Sequence, residues 1–431
     1  MDRQKWQPFL KRWSEEWISA HDPAHDAPLD EEVVRTGWLG FDPAGAEQIA
    51  AAEARLGRAL PPSLREFLLV TDGWRDAGGF IYRLAGAAEL EWLADTEDSG
   101  WIEAYDIGDE LDGFEVDDGT ILRRSLRLSL EGDAAVMLLD PEDVDEHGEW
   151  AGYWLASWSG EGPERHASFH ELMFDAYAGF HALKQPAGDT RESWEAVVDE
   201  ARAAALAGRI DEPLAKLESA ARFGRERADR LRFQILAMLG EEHTLPLSHV
   251  LPSPDDWHGF ERDPLFRAEL LPLLFAEDPF DRYGEGFTLR HLRETAPPSV
   301  RSVIAGFDQR RRDPAFRLTF GNPEFDTAVR RILASVEADA PPRSAPDPEP
   351  VEEGRIEARL VVTLGFPEEL RPPAEERPLP EGIWPRLREA FRLWRPLSPD
   401  HIAPVVLLAH PLLARVITED RGRELLSMPR G

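Results

Sequence analysis

Two short helices joined by a proline turn constrain the fold of this chain more than any other feature. Asp42 and Pro43 mark a helix start, because the Asp side chain caps free backbone N–H groups and Pro presets φ at the first helical position. The pattern predicts a first helix over residues 43–57 and, after a proline break, a second over residues 62–72. Each helix has one apolar side, so both must pack against another layer of structure. The apolar positions are Ile49, Ala52, Leu56, Leu64, Phe67 and Leu68.

The second layer is predicted to be an antiparallel sheet. Residues 120–130 mix apolar residues with arginines in the manner of a strand, and residues 131–133 are typical of a tight turn. Residues 134–139 then form a short buried strand that ends at Asp140 and Pro141. This sheet would cover the apolar sides of the two helices.

A tryptophan-rich strand and a longer helix complete the pattern. Trp150, Trp154 and Trp158 fall on one face of a strand through period-two alternation. An S-x-x-E capping box then starts a helix over residues 168–184. Helices, antiparallel strands and a further helix in this order predict an α+β domain.

The two short helices carry the string I-x3-E-x2-LG-x2-LP-x2-L-x2-FL-x3-DG, from Ile49 to Gly73. Together with the strand-turn-strand, the tryptophan strand and the helix start at residue 168, it resembles SUKH-superfamily domains of the Smi/Knr type. The resemblance covers residues 35–185, with boundaries good to about two to four residues. It implies an α+β binding module with an antiparallel sheet flanked by helices. Many bacterial members resemble immunity proteins that neutralise toxins, often nucleases, and others look like scaffolds of eukaryotic cell-wall signalling.

The chain is predicted to continue as a mainly α-helical C-terminal half. Helical patterns cover residues 190–206, 211–223 and 226–239, with Gly208 and Gly224 at the breaks. The predicted segments are an N-terminal aromatic helix at 1–28, the SUKH-like α+β domain at 29–187, a helical region at 188–340, a Pro/acid-rich linker at 341–354 and a small C-terminal α+β or helical domain at 355–431.

The N-terminal helix carries an aromatic stripe. Trp6, Leu10, Trp13 and Trp17 recur near helical spacing, with basic residues close by. The stripe could lie on a membrane surface or pack on the neighbouring domain. The acidic body of the chain would oppose anionic lipid, which favours packing.

Acidic residues are in excess and unevenly placed. The formal net charge is −33, and the first 187 residues hold 39 acidic against 15 basic residues. Such a field repels nucleic acid and anionic membrane and attracts a basic protein partner, although an acidic surface can also serve solubility alone. Cysteine is absent, and no apolar stretch is long enough for a signal peptide or a membrane span. These features predict a cytoplasmic protein.

Motifs for catalysis are missing from the sequence. No G-x-S-x-G elbow, G-x-x-x-x-G-K-[ST] loop or G-x-G-x-x-G turn is present. Residues 140–149 hold six carboxylates but lack the order of ligands that a calcium loop needs. The basic run at residues 310–312 is interpreted as a solvated helix end. We therefore expect no catalytic residues and no cofactor, and a protein that is not an enzyme.

Two histidine pairs are the remaining candidates for metal ligands. His21 and His25 lie four residues apart, each followed by Asp, but the prolines around them favour a solvated acidic loop over a rigid helix. His166 and His170 straddle a helix start, which does not bring their rings together. The sequence therefore predicts no metal site.

Residues 91–118, called the acidic segment below, form the candidate interface. The segment contains twelve acidic residues and no Lys or Arg, yet aromatic residues are interleaved with them. Aromatic anchors ringed by charge are typical of tight interfaces. Alternatively the aromatics face inward and only the acids are exposed. The candidate partner-binding residues are Trp92, Glu97, Asp98, Trp101, Tyr105, Asp106, Asp109, Glu110, Asp112, Glu115, Asp117 and Asp118.

Three functions follow as hypotheses. The favoured one is immunity, in which the SUKH-like domain occludes a basic, nuclease-like bacterial toxin without catalysis. The second is a regulatory scaffold of the Smi/Knr type, in which the helical half recruits partners. The third is an enzyme within the second half, where no family is recognised.

Overall fold

A computed structural model of the chain describes residues 2–106, 118–241, 244–253, 257–276, 287–339 and 382–430. The chain divides into two compact units, one of Met1–Glu200 with Ala215–Ala228 and the other of Ala201–Leu214 with Asp229–Gly431. The predicted linker at 341–354 lies outside the described residues. The boundaries of the five predicted segments stay predictions.

The first unit mixes helices with antiparallel strands, as predicted. Its helices are α1 (Arg3–Ala20), α2 (Glu31–Thr36), α3 (Ala46–Leu56), α4 (Pro62–Leu68), α5 (Gly100–Tyr105), α6 (Asp118–Arg124) and α7 (Phe169–Lys184). Its strands are β1 (Trp74–Arg75), β2 (Ile81–Leu84), β3 (Glu91–Trp92), β4 (Leu126–Arg127), β5 (Ser129–Gly132), β6 (Ala135–Val144), β7 (Trp150–Ala156) and β8 (Glu164–His166). Single turns of 3-10 helix occur at Leu93–Asp95 and Glu97–Ser99.

The aromatic stripe of α1 packs into the core of this unit. Trp6, Leu10 and Trp13 are fully buried. The Trp6 ring lies 5.3 Å from that of Phe67 in α4, and its Nε1 donates a hydrogen bond to the Ser63 carbonyl at 3.1 Å. The packing interpretation of the stripe is confirmed.

Helix α3 begins later than the sequence pattern indicates, at Ala46 rather than Pro43. The Ala44 N–H donates to the Leu68 carbonyl at 2.9 Å, which holds the preceding residues beside the end of α4. Gly45 is the cap instead, and its N–H donates to the Gln48 side chain at 2.7 Å. The apolar sides predicted for α3 and α4 are correct, because all six residues assigned to them are buried.

Helix α4 ends earlier than predicted, at Leu68 instead of residue 72. The Thr71 hydroxyl accepts a hydrogen bond from the Phe41 N–H at 2.8 Å and donates one to the Gly73 carbonyl at 2.6 Å. This side chain turns the backbone toward β1, so the helix does not continue.

The described residues of this unit form two antiparallel sheets, with strand orders β1-β2-β5 and β3-β4-β6-β7-β8. Along β6 and β7, successive side chains join different clusters, as the alternation of a strand requires. Met137 and Leu139 belong to the large core that includes α1, α3, α4 and α7. Val136 and Leu138 belong to a smaller core with α5 and α6. The central strands are thus covered on both faces.

The predicted strand over residues 120–130 is wrong in its first half. Residues 118–124 form helix α6, with Leu122 fully buried, and the strand character begins only at Leu126. Asp118 in the first turn and Arg123 and Arg124 in the last turn suit the helix dipole. The tryptophan strand is also shorter than predicted, because Trp158 lies beyond the end of β7.

The second unit is largely helical in its described part. The helices α8 (Asp189–Leu206), α9 (Asp211–Arg222) and α10 (Glu226–Leu239) match the predicted ranges to within one residue, and the unit boundaries fall within α8, α9 and α10. The later helices are α11 (Leu247–Val250), α12 (Leu271–Leu274), α13 (Phe287–Thr295), α14 (Pro298–Arg311), α15 (Pro323–Asp339), α16 (Ile383–Phe391), α17 (Pro411–Val416) and α18 (Glu419–Leu426), with a π-helical segment at Leu265–Leu270 and 3-10 turns at Phe260–Arg262 and Val405–Ala409.

A buried polar cluster ties the C-terminal segment of this unit to its centre. Glu269 and His401 are fully buried, with His401 Nε2 3.1 Å from Glu269 Oε1. The Glu269 carboxylate also accepts a hydrogen bond from the Val406 N–H at 2.8 Å. The Gln234 side chain accepts from the Ile402 N–H at 2.8 Å. Such buried polar contacts favour one arrangement of the packed segments.

Gly422 provides a test of packing in the second unit. A Cβ at this position in α18 would lie 1.7 Å from the Met238 carbonyl oxygen of α10. We expect Gly422→Ala to lower the free energy of unfolding by about 1–3 kcal/mol through overpacking. In Gly306→Ala, the matched control in α14, the Cβ would meet only the Arg310 side chain at 3.7 Å, so a gain of about 0.5–1 kcal/mol is expected. Urea unfolding measures both; equal effects would contradict the packing.

Among the described helices, none combines the length and the apolar character needed to cross a bilayer.

Candidate functional site

The acidic segment is only partly described by the structure. Trp92 lies in β3, Glu97 and Asp98 in a 3-10 turn, Trp101 and Tyr105 in α5, and Asp106 directly after it, while Asp118 begins α6. The predicted residues Asp109, Glu110, Asp112, Glu115 and Asp117 lie outside the described residues.

The described aromatics of the acidic segment, Trp92, Trp101 and Tyr105, are half-buried and touch the cores. Trp92 stacks on Trp150 with ring centroids 6.4 Å apart. Trp101 and Tyr105 stack on each other at 6.2 Å and pack against the smaller core. Each ring is therefore partly in the core and partly at the surface. The sequence left open whether these rings face a partner or face inward, and their position lies between these two interpretations.

Several described acids of the segment already have basic partners within the domain, and one of them is Glu91, whose Oε2 lies 3.9 Å from Arg127 Nη2. Asp98 accepts a hydrogen bond from Arg127 at 2.5 Å, and Asp106 accepts one from Arg123 at 2.6 Å. Both arginines follow the acidic segment in the chain and reduce its local charge. The segment as a partner-binding surface stays a prediction.

A second surface of the same unit contains a cavity of about 440 Å³, called the Asp76 pocket below. It is bounded by the C-terminal ends of α1 and α7, the loop after α1 and the turn before β2. Aromatic side chains form much of its wall, and four charged side chains complete it. The aromatics are Trp17, Phe80, Tyr82 and Phe180, and the charged residues are Asp26, Asp30, Asp76 and Lys184.

Most charges in the Asp76 pocket are compensated. Asp26 accepts a hydrogen bond from the Lys184 ammonium. Asp30 caps α2 and lies 3.4 Å from the Arg75 guanidinium. Asp76 is different: among the described residues, none donates a hydrogen bond to its carboxylate or forms an ion pair with it.

Asp76 is held in place by its backbone. Its N–H donates to the Tyr82 carbonyl at 2.9 Å, and its carbonyl accepts from the Gly78 N–H at 3.0 Å, in a turn where its φ is 51°. This left-handed conformation is one that Asp tolerates better than most residues. Burial raises the pKa of Asp76 to about 6; the Arg75 and His21 charges oppose this rise, and Asp30 adds to it.

The rim of the Asp76 pocket exposes large apolar side chains. Tyr82 is 47% exposed, Leu183 56% and Trp158 52%. The Trp158 ring lies 4.8 Å from that of Phe80. A second cavity of about 250 Å³ shares Gly79, Phe80 and Leu183 with the pocket, so the two lie side by side.

The histidine pair His21 and His25 is engaged in local bonds. His25 Nδ1 lies 2.7 Å from the Asp22 carboxylate, and His21 Nε2 lies 2.9 Å from the Ala27 carbonyl. Asp26 is the partner of Lys184. The sequence predicted a solvated loop here, and the side chains of His21, Asp22, His25 and Asp26 form bonds in or near the turn that follows α1.

His166 and His170 serve different surroundings. His170 packs on Trp6 with ring centroids 5.5 Å apart, and burial lowers the pKa of its imidazole. His166 lies instead near Glu164 and Asp175. The atoms of these three residues that could bind a metal ion all lie within 4.8 Å of one another. Asp175 also accepts hydrogen bonds from Arg222, a cation that a metal ion would have to displace.

The carboxylates of residues 140–149 have structural partners rather than a shared centre. The fully buried Asp140 binds Arg124, with Nε 2.9 Å from Oδ1. Asp143 accepts from Arg165 at 2.6 Å, which lowers the pKa of this carboxyl. Glu149 accepts from the Ser63 N–H at 2.9 Å.

One comparison with known proteins finds a relative for part of the chain. Residues 43–174 match the model of the SMI1 / KNR4 family (SUKH-1). This range lies inside the 35–185 on which the sequence resemblance rests. No curated protein and no solved structure matches the chain.

Proposed function

We propose that this chain, which carries a SUKH-superfamily domain at residues 43–174, is a non-catalytic cytoplasmic binding protein that neutralises a basic, nuclease-like bacterial toxin. The observation that carries the proposal is the charge of the unit around this domain. Up to residue 187 it has 39 acidic and 15 basic residues, while large apolar side chains stay exposed on its surface. Charge brings partners together, and desolvated aromatics hold them.

A nuclease must itself be basic to bind phosphate groups. An acidic protein can therefore occupy the surface that the nuclease presents to nucleic acid, without any chemistry of its own. Opposite fields would raise the association rate above the usual 10⁵–10⁶ M⁻¹s⁻¹ by about one to three decades at low salt.

Reversal of three charges in the acidic segment tests where this field acts. We expect Asp109→Lys, Glu110→Lys and Asp112→Lys together to slow association with the toxin by about tenfold at low salt, with a smaller effect at high salt. Trp101→Ala should instead speed dissociation, because a half-buried aromatic anchor is lost. Surface plasmon resonance against the protein encoded beside this gene, at two salt concentrations, measures both rates.

The matched control carries the same charge change elsewhere in the unit. Glu47→Lys, Glu146→Lys and Glu161→Lys alter three exposed acids outside the acidic segment. If both triple variants slow association equally, the net charge acts and the segment is not the interface. If the neighbouring protein is not toxic, or co-expression of this chain does not restore growth, the immunity proposal is wrong.

The size of the second unit favours one alternative, the regulatory scaffold. The family match ends at residue 174, and a second compact unit with its own core of buried residues follows. A scaffold would use this helical unit to recruit partners. Deletion of the second unit would abolish the function of a scaffold, whereas toxin neutralisation by the SUKH domain alone would survive it.

A further inference from the structure

We propose that the Asp76 pocket receives an arginine side chain of the basic protein partner. The inference rests on the proposed function for the nature of the partner, and on the structure for the place and the residue type. Nothing in the family match assigns a ligand to this pocket.

The charge of the Asp76 carboxylate is not compensated within the pocket. Arg75 follows directly before Asp76 but is engaged elsewhere: its Nη1 donates to the Gly40 carbonyl at 2.9 Å, and its guanidinium lies 3.9 Å from the Phe41 ring centroid. Lys184 is held by Asp26. The Asp76 carboxylate is thus half-buried and, among the described residues, has no basic partner, which costs free energy that a bound cation would offset.

Aromatic rings form much of the wall around this carboxylate. Trp17 and Phe180 lie side by side with ring centroids 4.8 Å apart, and Phe80 and Tyr82 contribute further rings. Cations are attracted to aromatic faces, and a planar guanidinium can stack on a ring while it forms paired hydrogen bonds with a carboxylate. An ammonium is more strongly hydrated and cannot form this pair, so arginine fits better than lysine.

The surface outside the pocket exposes large apolar side chains. The second cavity lies beside the pocket and shares the exposed Leu183 with it, and the exposed Trp158 packs on Phe80, which lines both. A free amino acid or amine would leave this apolar surface in water. A protein chain that inserts one arginine and covers the rim would bury it, so a protein is the occupant that the surface favours.

The direct test uses short peptides with blocked ends as probes. Gly-Arg-Gly, Gly-Lys-Gly and Gly-citrulline-Gly are titrated into the full chain at pH 7.5 and followed by tryptophan fluorescence and calorimetry. We expect the arginine peptide to bind, the lysine peptide to bind at least threefold more weakly, and the uncharged citrulline peptide to bind at least tenfold more weakly. Equal affinity for all three would overturn the proposal.

Variants of the pocket locate the binding. Asp76→Asn removes the charge with almost no change of shape and keeps a residue that tolerates the left-handed backbone, so binding of the arginine peptide should weaken at least tenfold. Glu47→Gln, the control, removes one exposed acid outside the pocket and should have no effect. Tyr82→Ala, at the exposed rim, should weaken binding several-fold without unfolding the domain. Unchanged binding in both pocket variants would overturn the proposal.

A pH series gives a second readout. Asp76 becomes neutral as the pH falls below about 6, so wild-type affinity for the arginine peptide should fall between pH 7.5 and 5. The other charged groups that face it are Arg75, Asp30, His21, Asp26 and Lys184. The Asp76→Asn variant lacks the titrating carboxyl, so the difference between wild type and variant isolates the contribution of Asp76. A pH dependence that is identical in wild type and variant would contradict the role of Asp76.

The outcome is separable from that of the proposed function. If the peptide binds at Asp76 while the neighbouring protein is no toxin, the pocket stands and the immunity proposal fails. If the toxin is neutralised with equal affinity by wild type and Asp76→Asn, the immunity proposal stands and the pocket is not its subsite.

Discussion

Replacement of Phe67 by alanine should lower the free energy of unfolding of the first unit by about 3–5 kcal/mol. Phe67 is 1% exposed, and its ring packs edge-on against Trp6 of α1 at 5.3 Å and Phe169 of α7 at 5.1 Å. Truncation to Cβ removes both contacts and leaves a cavity where three helices meet. The neighbouring rings are themselves fully buried, so the site has little room to collapse.

Hydrogen exchange measured by mass spectrometry is the suitable readout, because the chain has two compact units that need not unfold together. Peptides from α1, α4 and α7 should lose protection in Phe67→Ala, and peptides from α14 to α18 should not. Val34→Ala, at a position that is 68% exposed in α2, is the control and should change stability by less than about 0.5 kcal/mol. Protection that is equal in the two variants would show that Phe67 is not a core residue.

The helices of the first unit are the part of the fold that sequence predicts best. The apolar positions of α3 and α4 and the capping residue of α7 follow from local spacing, and the structure confirms them. In α7, the Ser168 hydroxyl accepts a hydrogen bond from the Glu171 N–H at 3.2 Å, as an S-x-x-E pattern predicts. Local spacing succeeds here because each signal lies within one turn of the residues that it positions.

Residues 120–130 show where local pattern is insufficient. Leu122 and Leu126 lie four residues apart, which suits a helix, while the surrounding mixture of leucine and arginine suits a strand equally well. The choice depends on partners distant in sequence: Arg124 reaches the buried Asp140, and Arg123 reaches Asp106. These ion pairs use arginines that the sequence pattern placed in a strand.

The Asp76 pocket has almost no signal in the sequence. Asp76 precedes Ala77 and two glycines, a composition that indicates only a turn. The carboxylate becomes half-buried because α1 and α7, which lie far from it in sequence, place Trp17 and Phe180 beside the same cavity. Runs of charge in the sequence instead indicate the acidic segment, where Glu91, Asp98 and Asp106 are already paired.

Removal of the Glu16 carboxylate is expected to be as disruptive as the loss of Phe67. Glu16 of α1 accepts hydrogen bonds from His181 at 2.9 Å, from the Thr190 hydroxyl at 2.6 Å and from the Tyr177 hydroxyl, which joins α1 to α7 and α8. His181 is 1% exposed, so loss of the carboxylate takes a hydrogen-bond partner away from a buried ring. We expect Glu16→Ala to lower the free energy of unfolding by about 3–5 kcal/mol, the usual cost when one member of a buried charged network is removed.

The same network should make the first unit sensitive to acid. Burial alone would raise the pKa of Glu16, but the hydrogen bonds from His181, Thr190 and Tyr177 outweigh it and hold the pKa below its ordinary value of 4.5. A carboxyl whose folded pKa is lowered contributes stability that is complete above its unfolded pKa and is lost as the pH falls through the folded value. Stability should therefore decline below about pH 4.5.

Glu16→Gln, which keeps the shape but cannot titrate, should be less stable than wild type at pH 7, and the difference should shrink toward pH 3. Glu15→Ala, an exposed neighbour paired only with Lys11, is the control for general effects on α1. Chemical unfolding at pH 7, 5 and 3 tests this directly, since a stability difference that is constant over this range would exclude Glu16 as a titrating member of the network.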